Sequence, residues 1–88
     1  MSEENDTPRR QSTILCVDDE EHIVNSLKRV LRREDKVLTA TSATDALEIL
    51  KSHDVDLLIT DMRMPGMNGA ELLAEVRRLE LDPARILL

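Results

Sequence analysis

The sequence contains no phenylalanine, tyrosine or tryptophan. That absence excludes the aromatic platforms on which unpaired bases or sugar rings stack. Cysteine is nearly absent as well: Cys16 stands alone, so no internal disulfide can form and no zinc-ligand spacing exists. Positive charge is in deficit, 12 Lys and Arg against 18 Asp and Glu, for a net charge of −6. Binding to a phosphate backbone is therefore disfavoured, and no nucleic-acid partner is expected through this domain. Long apolar runs are also missing, so neither a membrane span nor a signal-peptide core is expected. With a single thiol, a reducing, cytoplasmic setting fits best.

What the 88 residues do hold is 41% hydrophobic side chains, enough for one small core. A domain of this size buries only roughly 60–65% of its unfolded surface, so each element counts. Residues 1–12 have no aliphatic side chain after Met1 and are expected to form a disordered leader.

From Thr13 the pattern alternates. Thr13-Ile14-Leu15-Cys16-Val17 reads as a strand buried on both faces, stopped by Asp18-Asp19. Ile23, Leu27, Val30 and Leu31 recur at helical spacing across Glu20 to Glu34, with acids at the start and Lys28, Arg29, Arg32 and Arg33 at the end, as the helix dipole favours. Lys36–Ala40 is a second strand. Ser42 and Asp45 resemble a capping box before a helix striped by Ala43, Ala46, Leu47 and Leu50. Val55–Thr60 is a third strand, again ended by an acid, Asp61. After the Pro65-Gly66 turn, Asn68 and Glu71 cap a helix carrying Leu72, Leu73, Val76 and Leu79. Pro83 follows, and Arg85–Leu88 begins a fourth strand. Strands alternating with helices imply right-handed crossovers and a doubly wound parallel α/β sheet.

The acids are the chemical signal. In an open parallel sheet, ligands sit beyond the carboxyl ends of the strands, where strand order reverses. With strand order 2-1-3-4, Asp18, Asp19 and Asp61 converge in one crevice there. Three carboxylates repel one another and ask for a cation. Oxygen ligands without Cys or His select Mg²⁺, Mn²⁺ or Ca²⁺, and a small open crevice suits Mg²⁺. A cation there would also screen a phosphoryl group under attack by a carboxylate, and Asp61, alone at its strand end, is the candidate nucleophile. The plainer account of Asp18 or Asp19 taken singly is a helix N-cap. The conjunction of an acidic pair with a third acid two strands later favours the site.

Ile14-Leu15-Cys16-Val17-Asp18-Asp19-Glu20 and Asp56-Leu57-Leu58-Ile59-Thr60-Asp61-Met62-Arg63-Met64-Pro65-Gly66-Met67-Asn68-Gly69 resemble the receiver domains of two-component response regulators. The likeness runs from about residue 13 to the last residue. It implies a flavodoxin-like (CheY-like) fold that accepts a phosphoryl group from a sensor histidine kinase and assists its own phosphorylation rather than acting as an enzyme. By position, the resemblance makes Asp61 the phosphoacceptor. Asp18 and Asp19 become the metal pair, with Asp19 in direct contact, and the backbone carbonyl of Arg63 completes the protein's share of a Mg²⁺ shell, with Mn²⁺ possible in its place.

Against the family pattern, residues 13–88 read as an incomplete receiver ending in the fourth strand, without the last strand and last two helices. The family's Thr or Ser just past the fourth strand and its Lys at the end of the fifth have no counterpart here. The uncovered sheet then implies a homodimer, or a dimer exchanging elements. A competing function follows: an association module whose acid pocket is a relic. A phosphatase with an Asp-x-Asp nucleophile fits poorly, because Asp18 and Asp19 are adjacent. His22 and His53 lack partners at ligand spacing. Met62, Met64 and Met67 read as flexible packing around the turn.

Overall fold

Four consecutive residues of β1 (Thr13–Val17), from Ile14 to Val17, are buried, as an apolar run without alternation requires of a strand covered on both faces. The computed structural model describes residues 12–33, 35–81 and 83–87. Along the chain follow α1 (Glu21–Leu31), β2 (Lys36–Ala40), α2 (Ala43–Ser52), β3 (Leu57–Thr60), α3 (Gly69–Arg78) and β4 (Ala84–Leu87). The four strands form one parallel sheet in the order β2-β1-β3-β4. This is the doubly wound architecture expected from the alternation, in the strand order on which the convergence of the three acids was conditional.

Right-handed crossovers decide which helix covers which face. The chain steps one way from β1 to β2 and the other way from β2 to β3 and β4, so α1 lies on one face and α2 and α3 on the opposite one. The side chains agree. Val24 of α1 packs with Ile14, Cys16 and Val37, whereas Ala43, Ala46 and Leu50 of α2 and Leu72 and Val76 of α3 close over Leu15, Val17 and Leu58. Leu15, Leu58 and Leu72 are fully buried, each contributing about 1.5–3 kcal/mol of transfer free energy.

The helix ends follow local chemistry. Asn68 Oδ1 accepts the Glu71 N–H at 2.8 Å while Glu71 Oε1 accepts the Asn68 N–H at 2.9 Å, a complete capping box. At α2 only half of that device forms: Ser42 Oγ accepts the Asp45 N–H at 3.1 Å, and the shorter Asp45 side chain makes no return bond.

Several boundaries differ from the sequence expectation. α1 spans Glu21–Leu31 rather than Glu20 to Glu34, and Val24 is its buried residue. Val30, placed by spacing on the apolar stripe, is 71% exposed. At 100° per residue it lies at the edge of the Val24–Leu27–Leu31 stripe, and in that last turn it is Leu31 that packs against the core. β3 begins at Leu57 rather than Val55, although Val55 is buried, and β4 begins at Ala84 rather than Arg85. The expected leader lies outside the described residues except Ser12, whose carbonyl accepts the Lys36 N–H at 2.8 Å. Leu88, expected in the fourth strand, also lies outside them.

Candidate functional site

β1 and β3 are neighbours in register, Val17 opposite Thr60, so the residues that follow each strand leave the sheet side by side. The Asp61 N–H donates to the Val17 carbonyl at 3.0 Å, and the Asp18 N–H donates to the Ala40 carbonyl at 3.2 Å. Both aspartates are thus held by backbone to the strand next door. Thr60, fully buried beneath them, donates its hydroxyl to the Asp61 carbonyl at 3.1 Å. Sequence reasoning passed over Thr60. Its one signal is a hydroxyl at the end of an otherwise aliphatic strand.

Asp18, Asp19 and Asp61 each place a carboxylate oxygen within 4.8 Å of the other two. Asp18 and Asp61 are half-buried and Asp19 is exposed. The N-cap account fails here: α1 is capped by Glu20 with no side-chain hydrogen bond, and Asp18 Oδ1 instead accepts the Glu20 N–H at 2.9 Å in the turn that starts the helix. Asp19 and Asp61 keep their carboxylates for the crevice.

The donor set suits a small hard cation. All three donors are carboxylate oxygens, and around octahedral Mg²⁺ adjacent oxygens lie about 3.0 Å apart and opposite ones about 4.2 Å, so a trio within 4.8 Å needs only to draw closer to share one ion.

The loop after Asp61 is built to turn sharply. Gly66 has φ +76°, the left-handed conformation that the second central position of a Pro-Gly turn needs, and the Gly69 N–H closes the loop on the Met62 carbonyl at 3.0 Å. Arg63 sits in this loop, exposed, two residues beyond Asp61. Met64 is buried and Met67 half-buried, whereas Met62, next to Asp61, is 42% exposed. The histidines stand apart: His22 lies 3.6 Å from Glu20 at the surface, and His53 Nδ1 lies 3.0 Å from Ser52 Oγ.

An acidic trio at the carboxyl ends of the first and third strands of a parallel 2-1-3-4 sheet is the decisive arrangement, and the profile of the response regulator receiver domain matches residues 14–88. The chain belongs to that family. It is 40% identical over 79 residues to the hydrogenase transcriptional regulatory protein HoxA of Cupriavidus necator, a match covering 90% of this chain and 16% of HoxA. It is 43% identical over 74 residues to the transcriptional regulatory protein YvrH of Bacillus subtilis, covering 82% of this chain and 31% of YvrH. The chain thus spans under a third of the length of either regulator. Among solved structures, the response regulator TrrA of Thermotoga maritima, determined in complex with Mg²⁺–BeF, superposes with a TM-score of 0.81 at 38% identity, over 88% of this chain and 68% of that one. The receiver domain of an HD-domain protein from Pseudomonas fluorescens gives 0.83 at 37% identity, over 89% and 63%. Receiver domains are signalling domains that take phosphoryl groups from histidine kinases. Among the described residues of this receiver, no helix is long and apolar enough to cross a membrane.

Proposed function

We propose that this receiver takes a phosphoryl group from the phosphohistidine of a sensor histidine kinase onto Asp61, with Mg²⁺ held by Asp18, Asp19, Asp61 and the backbone carbonyl of Arg63. The observation that carries this reading is the convergence of three carboxylates within 4.8 Å at the strand ends. One Asp61 carboxylate oxygen forms the new O–P bond as the N–P bond of the phosphohistidine breaks. The departing imidazole keeps the electron pair and takes a proton from solvent. The bonds from the Asp61 N–H to the Val17 carbonyl and from the Gly69 N–H to the Met62 carbonyl hold the backbone on both sides of the Asp61 side chain, so Asp61 approaches phosphorus with little freedom to lose. When bound, Mg²⁺ offsets the negative charge of the phosphoryl oxygens and of the trio itself. Mn²⁺ shares the same preference for oxygen ligands. The net charge of −6 favours neither a nucleic-acid nor an anionic-membrane partner, and the setting that suits the lone thiol is the cytoplasm.

The test is chemical. After incubation with Mg²⁺ and a small acyl phosphate, the reading expects a phosphate that neutral hydroxylamine removes, as it does from a carboxyl phosphate. A phosphate resistant to hydroxylamine would place it on a hydroxyl instead and overturn the assignment.

One observation favours a second reading. Among the described residues β4 pairs only with β3 and forms an edge of the sheet, which suits an association module that pairs edges or exchanges elements in a homodimer. A receiver that associates but never takes phosphate fits that reading alone.

A further inference from the structure

Val30 and Met62 are the two large apolar side chains left exposed among the described residues. Met62 belongs to the phosphoacceptor loop. Val30 does not, and its surroundings are distinctive. It stands in the last turn of α1 beside Arg29, with Arg33 one turn on and Lys28 and Arg32 at the same helix end; all four cations are exposed, and one acid, Asp35, joins Val30, Leu31 and Arg33 around a shallow recess. None of the four forms an ion pair with a described residue.

The opposite character appears at the other end of the same helix. Between the start of α1, the end of β2 and α2 lies a groove of about 430 Å³. Val24, Ala40 and Ile49 line it together with three neutral polar residues, and Glu21, Asp45 and Glu48 give it three carboxylates. Asp45 and Glu48 are neighbours one helical turn apart on α2. These carboxylates pair with no described cation. A partly apolar groove carrying three acids is the charge complement of an exposed valine knob beside four cations and one acid.

The two surfaces lie nine residues apart on one straight helix, about 13 Å along its axis, so a single copy cannot bring them together. We infer that the Arg29–Val30–Arg33 end of α1 docks into the Glu21–Asp45–Glu48 groove of a second copy of this chain. The contact is heterologous, because different surfaces meet, so each copy keeps one free knob and one free groove. Val30 supplies the burial, and the charges set orientation and encounter rate. This contact is independent of the phosphoryl reading and of the β4 edge, neither of which it touches.

The test uses sedimentation velocity of the full chain over a concentration series at low and high salt, with circular dichroism confirming the fold of each sample. The wild type is expected to self-associate beyond the dimer, and to lose that association in high salt as screening shortens the reach of the charges. Val30→Asp removes the knob, and Glu48→Lys reverses one charge of the groove. Both sites are exposed, so the fold persists, and each variant alone should associate roughly tenfold more weakly, the scale of losing one interface anchor. An equimolar mixture of the two is the decisive sample. The intact knob of Glu48→Lys meets the intact groove of Val30→Asp, giving a one-to-one heterodimer that grows no further. A wild type monomeric at every concentration, association unchanged in both variants as a β4-edge dimer requires, or a mixture no more associated than its components would each overturn the contact.

Discussion

Thr13 and Asp56 are tied to each other twice. The Thr13 N–H donates to Asp56 Oδ2 at 2.8 Å, and the Asp56 N–H donates to the Thr13 carbonyl at 2.8 Å. The Asp56 carbonyl also accepts the Ala84 N–H at 2.9 Å. One residue therefore aligns the starting ends of β1, β3 and β4, and so fixes at the far ends the register on which the acidic trio depends.

Replacing Asp56 by Ala removes the charge-assisted bond to Thr13 and is expected to cost about 1–2 kcal/mol, read as a lower urea midpoint with an unchanged slope. Asp56→Asn keeps an acceptor and should lose less than half as much. Equal losses would show that the side-chain bond contributes nothing.

Glu80 ends α3 in the left-handed conformation, with φ 60°, while the Leu81 N–H reaches back to the Val76 carbonyl at 3.1 Å. That position favours glycine. Glu80→Gly is expected to stabilise the domain by about 0.5–1 kcal/mol, raising the thermal midpoint. A lowered midpoint would mean that the Glu80 side chain contributes more than its backbone strain costs.

Crowding of the trio has a consequence of its own. Asp61→Asn relieves repulsion, so without metal the variant should be more stable than the wild type by about 0.5 kcal/mol, the scale of partly exposed charge pairs. Added Mg²⁺ should raise the wild-type midpoint more than the variant's. Within the same crevice, Asp19→Ala should weaken Mg²⁺ binding more than Glu20→Ala, measured by calorimetry. Equal affinities would remove Asp19 from the ligand set.

Burial pushes the Cys16 thiol up from its ordinary value, keeping it protonated under α1. Alkylation should therefore be slow in the native state and should speed up with denaturant in step with unfolding. Fast native-state labelling would show that α1 does not close that face.

Much of this was legible in the residues themselves. The apolar runs at Ile14–Val17 and Leu57–Thr60 end abruptly in acids, and parallel pairing leaves those acids no place except one crevice. The Asn68–Glu71 cap was legible because both partners of the device are in the sequence at the right spacing. The role of Asp56 was not, because its partner is 43 residues away and only the strand register brings them together. Val30 was misplaced for a related reason. Spacing gives a side chain's direction around a helix axis, whereas tertiary packing sets how wide a stripe is covered, and here it takes in Leu31 and leaves out Val30 of the same turn. The N-cap account of the acidic pair failed because Asp18 turns its carboxylate to the Glu20 N–H, a choice made by the turn and not by residue type.

The most direct measurement is the intact mass of the folded chain after incubation with Mg²⁺ and a small phosphoryl donor, beside Asp61→Asn. The account predicts one added phosphoryl group on the wild type and none on the variant. No addition to a folded wild-type sample, or equal addition to the variant, would contradict Asp61 as the phosphoacceptor.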